Sequence, residues 1–178
     1  MTPLHIAPSQ LFSDVKIITP AFFEDDRGAF IETFSIDKYT FRNKKDEVLS
    51  FKEDDVSISK KNVLRGLHGD KITWKLIQCL YGEVFFAMVD NNPESATYLK
   101  VETFTLSDTN RLQILVPPSF VNGYLCLSDK CIFSYKQTET YTGMGNQIAL
   151  RWNDPKLNIA WPVKDPVLSQ RDNAIDYL

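Results

Sequence analysis

Short β-rich runs follow one another along this chain at intervals of roughly 8–12 residues, each closed by turn residues, with no helical period between them. A parallel sheet needs crossover helices, and none can be placed, so doubly wound α/β folds are excluded. The pattern predicts an all-β fold, an antiparallel β-sandwich of jelly-roll type with a few short helices, which leaves few strand edges exposed. Val15 to Ile18 leads into Phe22-Phe23, the polar turn Asp25-Asp26-Arg27-Gly28 and then Ala29 to Phe34, which reads as a hairpin. Further strands are predicted over 48–59, 62–68, 74–81, 84–89, 99–106, 112–116, 124–127, 132–137 and 148–152. The polar stretch 36–45 could hold a short helix, and Pro162 and Pro166 predict an extended loop over 161–172.

With 178 residues, 43% of them apolar and 24% charged, and with no repeat or linker, residues 1–178 are expected to form one domain. Twenty basic residues against 23 acidic ones give a net charge of −3, which argues against a broad nucleic-acid footprint. No apolar run approaches the ~18 residues of a membrane-spanning helix. The opening MTPLHIAPSQ has neither a charged n-region nor an apolar h-region, so no signal peptide is expected. Cys79, Cys126 and Cys131 are an odd set without a CxxC, which fits a reducing cytoplasm and buried thiols. Only His5 and His68 carry imidazoles, and His5 lies in a terminus expected to be mobile. A metal centre built on several histidines of one chain is therefore not expected.

Arg65-Gly66-Leu67-His68 puts a guanidinium and an imidazole near each other at a strand end. A period of two sends Arg65 and His68 to opposite faces unless the chain bends, and Gly66 permits a bend. By position alone they are a surface arginine and a lone structural histidine. Arg27 is by the same standard a solvated turn residue, and Glu32 the outer face of a strand. Lys75, between Trp74 and Leu76, either snorkels to an edge or sits beside a negative group. Tyr135 and Tyr141 read as half-buried strand aromatics whose hydroxyls reach water. The phosphate-cradling and nucleophile-elbow motifs GxGxxG, GxxxxGK[ST] and GxSxG are absent. Cys79 has no histidine near it in sequence to activate it as a nucleophile.

Several stretches, taken in order, form a recognisable series. They are 25–34 (DDRGAFIETF), 62–68 (NVLRGLH), Lys75-Leu76, 81–85 (YGEVF), Val89-Asp90 and Val116-Pro117-Pro118. Tyr135-Lys136, 152–155 (WNDP), 159–162 (IAWP) and 168–172 (LSQRD) complete it. The series resembles the dTDP-4-dehydrorhamnose 3,5-epimerase family of nucleotide-sugar epimerases, over nearly the whole chain. The resemblance implies a cupin-type jelly-roll homodimer, free of metal and cofactor, that epimerises a nucleotide-diphosphate-linked 4-keto sugar. It assigns His68 as the base, Asp172 as its orienting carboxylate, Lys75 as the donor to the enolate oxygen and Tyr135 as the acid on the opposite face. It gives Arg65 and Arg27 the diphosphate, with Glu32 beside them, and an N-terminal segment exchanged between subunits would carry Arg27 and Glu32 to the partner's site. The chemistry stands without the family name. Inversion beside a ketone needs a base near neutral pKa, a donor for charge growing on oxygen, and a second proton donor across the ring.

The chain also departs from the family pattern. Lys75 follows His68 at a shorter interval than usual, Val121-Asn122-Gly123-Tyr124 replaces Ala-His-Gly-Phe, and Phe86 stands where an aspartate belongs. Glu53-Asp54-Asp55 replaces Gln-x-Asn, and its carboxylates could accept hydrogen bonds from guanine N–H groups. Glu53, Asp55, Asn122 and Tyr141 are accordingly expected to contact substrate. These departures resemble a divergent branch acting on GDP-linked 4-keto-6-deoxy-heptoses in capsule biosynthesis, and leave that substrate level with dTDP-hexoses. A 3,4-ketoisomerase of the same cupin class and a non-catalytic sugar-nucleotide-binding module are the competing readings. Gly69-Asp70 after His68 argues against the first, and the joint presence of His68, Lys75, Tyr135 and Asp172 against the second.

Overall fold

The computed structural model describes residues 2–178 and is built almost wholly of antiparallel strands. In chain order these are β1 (His5–Pro8), β2 (Lys16–Thr19), β3 (Ala21–Asp25), β4 (Gly28–Glu32), β5 (Glu53–Lys60), β6 (Leu64–Gly69) and β7 (Lys75–Tyr81). β8 (Glu83–Asp90), β9 (Val101–Ser107), β10 (Gln113–Val116), β11 (Phe120–Cys126), β12 (Lys130–Gln137) and β13 (Ile148–Ala149) follow. A six-stranded sheet runs β1-β2-β10-β7-β12-β5, and a five-stranded sheet runs β13-β6-β11-β8-β9. The β3–β4 hairpin forms a separate two-stranded sheet.

Alternating side chains explain why the two sheets face each other. On β8, Val84, Phe86 and Met88 join Ile77, Ile114, Tyr124 and Phe133 in the core between the sheets. The intervening Ala87 and Val89 point outward and are covered by Leu150, Leu157, Ile159 and Trp161 of the C-terminal stretch. A strand buried on both faces reads as a continuous apolar run, which is how 84–89 reads. The outer face of the six-stranded sheet is likewise roofed, where Tyr39, Phe41 and Phe51 pack over Ile18, Leu76 and Leu115.

The sandwich, the β3–β4 hairpin and most strand positions agree with the sequence expectation, and four details differ. Residues 36–45 hold no helix; they turn and close an Arg42–Val48 bridge, because Tyr39 and Phe41 are drawn onto the sheet. His5 is not in a loose terminus but in β1, paired with Thr19. Strand β11 begins at Phe120, well before the predicted start, because Val121 and Asn122 extend the ladder to both β6 and β8. The loop over 161–172 ends in one helical turn, α1 (Gln170–Asn173), capped by Ser169, whose side chain accepts from the Asp172 N–H. A single 3-10 turn over Met144–Asn146 is the other helical piece among the described residues.

Candidate active site

Three cavities of comparable size open among the described residues, the smallest of about 470 Å³ beside Asp70 and Thr140, and the chemistry of the two larger ones separates them. One, of about 560 Å³, lies beside Lys44, Trp74 and Pro117-Pro118 and carries no histidine. The other, of about 600 Å³, lies between the two sheets and holds His68, Lys75, Tyr135 and Asp172. The wall from the six-stranded sheet is set by strand register. Asp55 pairs with Tyr135, which pairs with Ile77, and one pleat away Glu53 pairs with Gln137, which pairs with Lys75. Residues two apart share a face, so all six line the cavity.

The opposite wall is β6 and β11, and here a bulge does the positioning. Tyr124 pairs with Arg65 and Asn122 with His68, so an interval of two on β11 faces an interval of three on β6. The extra residue lies at the Gly66 bend, with φ +125°, and it brings Arg65 and His68 to one cavity. No other residue type fits there, since a Cβ on Gly66 would stand 2.5 Å from the Gly123 Cα.

His68 Nε2 lies 2.6 Å from Asp172 Oδ1. Asp172 is 3% exposed and is delivered by α1, whose capping by Ser169 fixes the turn. Burial pushes the Asp172 carboxyl up, but the hydrogen bond and charge of His68, with Ser169 and the Gly66 backbone, outweigh it and hold the group below its ordinary value. An ionised Asp172 makes Nε2 the protonated nitrogen of a neutral His68 and leaves Nδ1 as the free base.

Lys75 is partly buried, and burial lowers its ammonium pKa while Asp70 and Asp55 act against the shift. It makes no salt bridge among the described residues, nor does Arg65. The shorter interval after His68 is absorbed by a turn in which Asp70 Oδ1 accepts from the Ile72 and Thr73 N–H groups, and Lys75 still reaches the cavity. The Tyr135 hydroxyl is pushed up by burial and then by the Asp55 charge, which keeps it a phenol. Burial, together with the Glu53 carboxyl, also raises Asp55, while Gln137 opposes the shift by donating at 3.0 Å.

Glu53, Asp55, Asn122 and Tyr141 all line this cavity. Asn122 Nδ2 donates to the His68 carbonyl at 3.4 Å, and the Tyr141 N–H donates to Glu53 Oε2 at 3.0 Å. Asp54 points away and pairs with Lys136 at 2.6 Å. Arg27 and Glu32 do not line the cavity: Arg27 binds Asp25 in the exposed hairpin, and Glu32 pairs with Lys38. Phe86 is fully buried against Phe133, so an apolar contact fills the place of the aspartate in the family pattern. Cys79 is buried away from the site with its thiol pushed up to about 11, which removes it as a nucleophile.

Sequence reasoning missed Gln137, Arg171, Ser57, Ser59 and Tyr124 as parts of the site and its frame. Gln137 was within reach, being two residues from Tyr135 on the same strand face. Ser57 and Ser59 continue the same alternation from Asp55.

The family model for dTDP-4-dehydrorhamnose 3,5-epimerase matches residues 10–178. The chain belongs to that family. It is thereby an isomerase, and epimerases similar to it match nearly its whole length. The dTDP-4-dehydrorhamnose 3,5-epimerase of Shigella flexneri is 38% identical over 162 residues, which is 89% of this chain and 88% of that one. A crystal structure of the Legionella pneumophila dTDP-6-deoxy-D-glucose-3,5-epimerase in complex with dTDP-4-keto-L-rhamnose superposes with a TM-score of 0.88 at 33% identity, covering 98% of this chain and 93% of that one. The Bacillus anthracis dTDP-4-dehydrorhamnose 3,5-epimerase, with TDP and PPi bound, gives a TM-score of 0.90 at 32% identity, covering 99% and 100%.

Proposed function

We propose that this epimerase inverts carbon 3, carbon 5 or both in a nucleotide-diphosphate-linked 4-keto-6-deoxy sugar held in the cavity between its sheets. One observation carries the reading. A His68–Asp172 pair stands on the wall formed by the five-stranded sheet and α1, while Tyr135 and Lys75 stand on the six-stranded wall opposite.

His68 Nδ1 takes the proton from the carbon beside the ketone, and Asp172 balances the imidazolium that forms. The electron pair moves into the C–C bond and onto the ketone oxygen, where the Lys75 ammonium offsets the growing charge. Tyr135 then gives its phenolic proton to the carbon from the other face, and the enolate returns to a ketone with the centre inverted. Arg65 holds the diphosphate. The enzyme acts as a homodimer in which the β3–β4 hairpin carries Arg27 and Glu32 to the partner's site. The exposure of that hairpin, where Phe30 is 71% exposed, supports this arrangement.

The test is proton NMR in heavy water with a 4-keto-6-deoxy sugar nucleotide, following washout and product together. Deuterium at the inverted carbon is the expected result. A product with the carbonyl moved to carbon 3 would assign a ketoisomerase, and no exchange at all would leave a binding module.

A second reading concerns the nucleotide, and two acceptors in the cavity favour it. Glu53 and Asp55 offer carboxylate oxygens, and guanine has more N–H donors than thymine to give them, which favours a guanine nucleotide. Calorimetry with GDP and dTDP decides this point. Equal affinities would remove the guanine reading.

A further inference from the structure

A buried file of hydroxyls runs behind Arg65. Arg65 Nε donates to Ser59 Oγ at 3.0 Å, Ser59 Oγ lies 2.9 Å from Tyr124 Oη, and Tyr124 Oη lies 2.8 Å from Ser57 Oγ. Ser57 Oγ in turn reaches the Phe133 carbonyl at 3.5 Å. Ser59 and Tyr124 are 3% and 4% exposed, so little water competes for these groups.

With one hydrogen on each hydroxyl, the carbonyl end sets a single direction along the file when all four bonds form. A guanidinium only donates and a carbonyl only accepts. Ser59 therefore accepts from Arg65 and gives its own hydrogen to Tyr124, Tyr124 gives to Ser57, and Ser57 gives to Phe133. All the hydroxyl dipoles turn their oxygens toward the cation, and each bond strengthens the next. The Tyr124 ring cannot swing out of the file, because it stacks on Phe133 with centroids 4.2 Å apart. Arg65 Nη2 is also tied, at 3.4 Å, to the Ile58 carbonyl. The back of the guanidinium is thus held by protein, and among the described residues its Nη1 makes no hydrogen bond.

We infer that Tyr124, acting through Ser59, is a positioning residue that aims Arg65 at the substrate's diphosphate and so sets substrate affinity. This rests on the reading that Arg65 binds the diphosphate. A long arginine otherwise samples many rotamers, and ordering it only on binding would weaken the complex.

The experiment measures kcat and KM on the dTDP-linked 4-keto-6-deoxyhexose, with dTDP and GDP binding by calorimetry. It uses the wild type, Tyr124→Phe, Ser59→Ala, Arg65→Ala and the Tyr124→Phe/Arg65→Ala double variant. Tyr124→Phe keeps the stacked ring and should raise KM and the nucleotide Kd about 3- to 10-fold, with kcat within about 2-fold of wild type. The same change made in the Arg65→Ala background should have no further effect. An equal loss in both backgrounds, or no loss in either, would overturn the positioning role. Should Tyr124→Phe fail to fold, Ser59→Ala cuts the same link, and unchanged KM and Kd in that variant would overturn it too. If Arg65→Ala itself left nucleotide binding unchanged, the diphosphate reading would fall, and the positioning role with it. That outcome is told apart by the single Arg65 variant alone.

Discussion

Asp172 Oδ1 sits 2.6 Å from His68 Nε2, with the carboxylate buried and the imidazole facing the cavity. The pair fixes which ring nitrogen is free. Asp172→Asn keeps the shape but removes the charge and inverts the tautomer preference, and should cost about 10²–10⁴-fold in kcat. The same pair makes stability depend on pH. Because the Asp172 carboxyl is held below its ordinary value, its contribution is present above the unfolded carboxylate pKa and is lost as pH falls through the folded one. Urea titrations at stepped pH should show the gap between wild type and Asp172→Asn closing below about pH 4. A gap independent of pH would contradict the pairing.

His68 and Tyr135 stand on different sheets, so removing each should have a different signature. His68→Asn should abolish both solvent exchange of the α-proton and inversion, with a loss of about 10²–10⁴-fold. Tyr135→Phe keeps the ring packing and should depress inversion more than exchange. Wild-type inversion in Tyr135→Phe, followed by NMR in heavy water, would refute the two-face assignment. Equal loss of exchange and inversion would make Tyr135 a positioning group.

Lys75 and Tyr135 are shifted in opposite directions, and the reaction needs both of them protonated. Burial is the largest cause in both, lowering the Lys75 ammonium and raising the Tyr135 phenol. The alkaline limb of the kcat profile should lie below the ordinary lysine range and move upward in Lys75→Arg, whose guanidinium stays charged. A limb unmoved by that substitution would assign the ionisation to another group.

Arg27 lies on an exposed hairpin, its side chain 90% open and tied to Asp25. If the hairpin serves the partner's site, Arg27→Ala should raise KM several-fold while the unliganded fold keeps its thermal midpoint, because solvent screens a fully exposed ion pair and it adds little to stability. Sedimentation should give a dimer. A fully active monomer would exclude subunit exchange.

Much of the fold was legible along the chain. The sandwich follows from strand spacing, and the two-sided burial of β8 follows from its unbroken apolar run, because both are local consequences of a period of two. The 36–45 segment was misread for the opposite reason. Its local polarity permits a helix, but Tyr39 and Phe41 gain more by covering the sheet than a short helix gains by forming.

The candidate site divides along the same line. The chain alone shows which groups are available: one usable imidazole, a lysine inside an apolar strand, and a late aspartate at position 172. It could not say which of them meet. Arg65 and His68 share a wall only because a bulge at Gly66 adds one residue to β6 against β11, and nothing in a period of two predicts that. The His68–Asp172 contact spans 104 positions, and the Tyr124–Ser59–Arg65 file joins three strands. Such contacts are set by register and sheet-to-sheet packing, which are energies of the whole assembled core, and no stretch of the chain specifies them alone.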